Sequence, residues 1–102
     1  MGPGSRPVSI PEDFGPEYQA ELHETVVLPN HLWWSGQPRT LNPVDRSQLI
    51  RLYEIVLTQG TTSDIKNFIS FTTLRQLWGM LFLPEYVKSA WENWFTLHPA
   101  DL

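Results

Sequence analysis

The side chains able to do chemistry in this chain are few, and their spacing argues against most reactions. His23 and Glu24 open the stretch "HETVV", which starts like a His-Glu-x-x-His zinc motif. The fifth position is Val27, so the second ligand is missing. His31 and His98 stand far from His23 and from each other, with no i, i+4 pair to assemble ligands locally. The chain has no cysteine, which removes disulfides, thiolate metal sites and thiol nucleophiles together. Neither a metal nor a cofactor is expected. Asp45, Glu54 and Asp64 are the carboxylates that acid–base chemistry would draw on, yet their positions suit helix starts and a solvated stripe better. No Gly-x-Ser-x-Gly elbow and no phosphate-cradling glycine loop occurs. No catalytic residue is assigned, and the expectation is a protein that is not an enzyme.

The elements around these residues read as helices. Asn42 suits an N-cap, Pro43 the first helical position, and Asp45 places a carboxylate near the exposed amides. That helix should run to about Gln59, with Gly60 as a left-handed terminator. Leu49, Leu52, Tyr53, Val56 and Leu57 form its core face, Ser47, Arg51, Glu54 and Thr58 its polar stripe, and Ile55 falls near the polar side. Thr61-Thr62-Ser63-Asp64 predicts a capping box opening a short helix through Ile69. Ser70 or Thr72 can cap the next helix, carrying Leu74, Leu77, Trp78 and Leu81, which Gly79 weakens or ends early; close helix packing is the simple reason for a glycine there. Pro84 should start the last helix, with Tyr86, Val87, Ala90, Trp91, Trp94, Phe95 and Leu97 on one half. The fold class expected is all-α: a small bundle of three main helices and one short one, preceded by a mostly extended or disordered N-terminal arm.

The chain divides by composition into residues 1–5, which read as an expression remnant, an acidic, proline-rich arm over residues 6–30, and a helical domain over residues 31–102. Before residue 31 five acids stand against one base, Arg6; from there on six acids meet six bases. The whole net charge of −4 therefore sits in the arm. A negative arm on a neutral body favours a partner with basic surface. Pro16 suits the first turn of a short helix over "PEYQAELHE", with Tyr18 and Leu22 four apart on one side. A helix of that length is marginal alone and needs the body or a partner to hold it. "TVVLP" reads as extended.

"HLWWSGQPR", residues 31–39, concentrates aromatic surface outside the first long helix. Trp33 and Trp34 point apart on any regular backbone, so they cannot both fill one gap. One can plug the bundle while the other anchors a partner, and Arg39 suits the same contact because Trp and Arg are enriched at interface hot spots. Tyr18, Leu22, Trp33, Trp34 and Arg39 are accordingly the candidate partner contacts.

The span "TTSDIKNFISFTTLRQLWGML" resembles the rhythm of helix-turn-helix regulators, which implies duplex DNA as a target, with Lys66 and Arg75 as the cations in reach. It departs from the pattern where Lys66 replaces a small residue and Ser70 the turn glycine. A neutral body with scattered bases is poorly suited to neutralising several phosphates. The leading expectation is thus a non-enzymatic protein-interaction or regulatory module, antitoxin- or adaptor-like, binding a basic partner through its acidic arm and Trp-rich segment; the alternative is a helix-turn-helix-like DNA-binding regulator. A homodimer is compatible with either. No apolar run approaches the ~20 residues that span a bilayer, so no membrane partner is expected and the cytoplasm is the expected location.

Overall fold

The structure is a computed structural model and describes residues 8–20, 22, 24–33 and 39–98 of the chain. Its first long helix, α1, runs Arg46–Gln59 and starts later than the sequence predicts. Asp45, not Asn42, is the N-cap: its carboxylate accepts from the backbone N–H groups of Ser47 at 3.0 Å and Gln48 at 3.3 Å. Asn42 instead folds a turn. Its side-chain oxygen accepts from Val44 N–H at 3.1 Å, and its carbonyl from Asp45 N–H at 3.1 Å. With Pro43 at the second turn position, the chain reverses before the helix begins.

Gly60 closes α1, but not in the left-handed conformation. Its φ is −77° and ψ 159°, ordinary extended backbone. Glycine is needed there for space: a Cβ would sit 2.5 Å from the Val56 carbonyl oxygen and 3.0 Å from Asp64 Cβ. Such an approach lets α2, Thr62–Phe68, turn straight back onto α1. The capping box forms as expected, with Asp64 N–H donating to the Thr61 hydroxyl at 3.3 Å and Thr61 N–H to the Asp64 carboxylate at 2.8 Å.

Ser70 then caps α3, Phe71–Leu77, through Thr73 N–H at 3.4 Å. The helix ends after two turns and tightens into a 3-10 turn over Trp78–Met80. Among the described residues two long and two short helices therefore replace the predicted three and one. Gly79 marks that turn, but close packing does not explain it, because a Cβ added there meets nothing within 4 Å. Pro84 leads into α4, Glu85–Leu97, which buries Val87 and Trp91 completely, half-covers Trp94 and Phe95, and leaves Leu97 exposed. Ile55 is buried too, so α1 hides more than one stripe; it is the central helix.

Two findings refine the all-α expectation. Val26–Val27 (β1) pairs antiparallel with Thr40–Leu41 (β2), Val26 opposite Leu41 and Val27 opposite Thr40. The β-branched run thus finds a partner strand. Second, the N-terminal segment is built into the body. Phe14, Tyr18 and Leu28 share one hydrophobic cluster with Leu52, Tyr53, Leu74 and Trp91. No helix forms among the described residues of 16–24. A tight turn closed by Tyr18 N–H to the Gly15 carbonyl at 2.9 Å opens that stretch instead, and another, closed by Phe14 N–H to the Pro11 carbonyl at 3.1 Å, precedes it. The segment is then tied to α3 by Phe71 N–H donating to the Tyr18 carbonyl at 2.7 Å, beside an antiparallel bridge between Gln19 and Ser70. Burying an aromatic side chain contributes ~1.5–3 kcal/mol, more than two turns of exposed helix return.

Candidate functional site: an acidic edge anchored by aromatic rings

Residues 11–18 alternate between the core and water. Pro11, Phe14, Gly15 and Tyr18 are buried, whereas Glu12, Asp13, Pro16 and Glu17 are exposed. Phe14 is the anchor. Its ring centroid lies 5.2 Å from Trp91, 5.1 Å from Trp94, 5.7 Å from Phe71 and 4.9 Å from Tyr18, mostly edge to face. Anchoring of this kind turns a charged segment into a charged edge of defined shape. Behind Phe14, the Trp91 indole N–H is fully buried and finds no hydrogen-bond acceptor among the described residues.

Asp13 connects the edge to its anchor. The Tyr18 hydroxyl donates to the Asp13 carboxylate at 2.6 Å. This hydrogen bond, together with burial and the adjacent negative charge, pushes the Tyr18 phenol up to about 12. Pro11, Glu12, Asp13 and Tyr18 form one wall of an open cleft of about 550 Å³, and Thr62, Ser63 and Lys66 of α2 line the rest. The cleft carries two carboxylates and one ammonium, so an incoming cation meets net negative charge.

A second polar contact joins distant parts of the chain. His31, on the turn after β1, lies with Nε2 2.7 Å from the Asp64 carboxylate. Burial pushes Asp64 up, but the Thr61 N–H and His31 together outweigh it and hold the carboxyl below the usual range. Asp64 thus serves helix capping and a long-range tether at once. Among the described residues, no three His, Asp or Glu side chains gather closely enough to hold a metal ion.

The candidate contacts fall in different places. Tyr18 is buried against its own core, where it positions the acidic edge, and the little surface it keeps lines the acidic cleft. Leu22 is half-buried in a second cleft of about 370 Å³, next to Gln19, Tyr53 and Ser70. Trp33 and Arg39 are brought together: the guanidinium lies over the indole at 4.9 Å, and both are half-buried. Trp34 lies outside the described residues. Of the DNA-binding candidates, Lys66 is exposed on α2 and Arg75 on α3, helices of seven residues each. The Arg75 guanidinium lies over the Phe71 and Phe95 rings at 5.8 and 5.2 Å.

The sequence reading missed three features. The Phe14 anchor lacks periodic neighbours, and the His31–Asp64 pair spans 33 residues; neither leaves a local pattern. The third is the exposure of Phe82, which stands in an apolar run, "GMLFLP", that does not itself say which side chain is left in water. No helix among the described residues is long and apolar enough to cross a membrane. Compared with known protein families, with curated proteins and with solved structures, the chain matches none.

Proposed function

We propose that this chain is a non-enzymatic protein-interaction module, antitoxin- or adaptor-like, that recognises a partner with basic surface through its anchored acidic edge. The observation that carries this reading is the alternation over residues 11–18: Phe14 and Tyr18 hold the backbone to the body, so Glu12, Asp13 and Glu17 stand outward in fixed relation. A free arm would lose ~1–2 kcal/mol of backbone entropy per residue on binding. An arm already folded avoids that loss, so a partner docks onto a preformed surface.

Charge alone does not make the affinity. Exposed ion pairs contribute ~0.2–1 kcal/mol each, so three carboxylates mainly steer encounter and set register. An apolar contact has to supply the rest. Trp33 with Arg39 stacked on it is the described pair of suitable chemistry, and Trp34 and Leu22 are further candidate contacts.

The test is capture of a partner from the native host on immobilised chain, identified by mass spectrometry, with Glu12→Lys/Glu17→Lys run alongside. Asp13 is left in place because it holds Tyr18. The expected result is a partner of basic surface, released by salt and lost in the double variant. Retention of the same partner by that variant would refute the acidic edge as the contact.

A further inference from the structure

Five large apolar side chains are exposed among the described residues, and two of them, Met80 and Phe82, sit on one short segment. Phe82 is 88% exposed, so its ring stands almost wholly in water. The segment is held at two points. Phe82 N–H donates to the Glu54 carboxylate at 2.7 Å, and an Arg46 N–H lies 3.5 Å from the Met80 sulfur. Those two α1 residues are eight positions apart, so α1 braces the segment along two turns of its length. The result is a fixed apolar knob rather than a frayed loop.

The rim of the knob is cationic. Arg46 touches Met80, and Arg51 lies 3.8 Å from the Glu54 carboxylate that receives Phe82 N–H. Glu54 is the one carboxylate in these contacts, and it is engaged by the backbone of the segment itself. An apolar tip with two guanidinium groups beside it calls for a recess of net negative charge.

The same chain carries such a recess. The cleft beside α2 is lined by Pro11 and Tyr18, by the Glu12 and Asp13 carboxylates, and by Thr62, Ser63 and Lys66, so its two negative charges outnumber its one positive charge. Its volume of about 550 Å³ leaves room for a phenyl ring and a thioether. We propose that the Phe82–Met80 knob of one copy docks in the Glu12–Asp13 cleft of a second copy, with Arg46 and Arg51 meeting its carboxylates. This rests on reading the acidic edge as a receptor for cationic surface, and it names this chain itself as one such partner. A net charge of −4 makes an anionic bilayer a poor alternative occupant for the knob. Because knob and cleft are different surfaces, the contact is head-to-tail, and each added copy leaves one knob and one cleft open. Self-association then grows with concentration and competes with any other basic partner for the cleft.

Sedimentation velocity on the full chain tests this with two variants at exposed positions, Phe82→Asp (knob lost, cleft intact) and Glu12→Lys (cleft lost, knob intact). Circular dichroism checks that each retains its fold. The expected result is a wild-type mass that rises with concentration and falls with salt. Each variant alone is at least tenfold weaker in self-association. Their equimolar mixture regains a one-to-one dimer that grows no further. A wild-type chain that stays monomeric, variants that associate like wild type, or a mixture that forms no dimer would each overturn the proposal. So would a monomer that binds phosphatidylserine vesicles through Phe82. An arginine-rich synthetic peptide separates the two readings. If it binds the wild type and not Glu12→Lys while the chain stays monomeric, the acidic edge stands and self-docking alone fails. If it does not bind, both fail.

Discussion

Replacing Phe14 with alanine measures how firmly the acidic edge is attached. The Phe14 ring is 5% exposed and touches aromatic rings from α3 and α4 as well as Tyr18. Truncating it opens a hole beside Trp91 and Trp94, and Phe→Ala in a closed core costs ~3–5 kcal/mol. The segment has a way to limit the damage, because it can lift off by giving up the Phe71–Tyr18 backbone bond, the Gln19–Ser70 bridge and the Tyr18 ring. The low end, about 3 kcal/mol, is therefore expected. With a urea slope of ~1–3 kcal/mol per molar, the unfolding midpoint should fall by about 1–3 M, followed by tryptophan fluorescence. Glu17→Ala, at an exposed neighbouring position, should stay within ~0.5 kcal/mol of wild type. A Phe14→Ala midpoint equal to that of Glu17→Ala would refute the anchoring argument, because the segment would then lie outside the cooperative unit.

Three further outcomes follow from local geometry. Gly60→Ala should destabilise the chain by ~1–3 kcal/mol, since the new methyl group meets backbone rather than a movable side chain; an unchanged melting temperature would show that the α1–α2 corner gives way freely. Asp64 titrates below the usual 3.8, so its tethers add stability that is complete above that value and is lost as pH falls through the lower folded value. Asp64→Asn should accordingly narrow the gap to wild type on acidification, and parallel acid-unfolding curves would contradict this. Tyr18, raised from 10.0 to about 12, works in the opposite sense: its contribution is complete below pH 10 and is lost as pH rises toward 12. Tyr18→Phe should flatten that alkaline loss, and an ultraviolet titration of the wild type showing all three tyrosines ionising near 10 would disprove the Asp13 bond.

Much of the bundle was legible because helix signals are short-range. The Thr61–Asp64 box, the Ser70 cap and the apolar half of α4 all formed where spacing placed them. Where two local signals competed, neighbours decided. Asn42 and Asp45 are both good caps, and Pro43 gave Asn42 to the turn and Asp45 to the helix. Gly60 shows the same ambiguity in another form. A glycine after a helix suggests a left-handed residue, but here it answers to crowding from Val56 and Asp64.

What sequence alone determined about this protein is its helical character, the Thr61–Asp64 box and Ser70 cap, and the concentration of negative charge ahead of residue 31. Each depends on groups within about four positions of one another, or on composition. Tertiary structure decided that Phe14 and Tyr18 turn inward so that Glu12, Asp13 and Glu17 face out, that His31 reaches Asp64, and that Phe82 stands in water while Phe14 does not. Hydrophobic attraction depends on area and has no direction, so a row of apolar letters states that burial is favourable without stating against what. Only the folded chain assigns the partners.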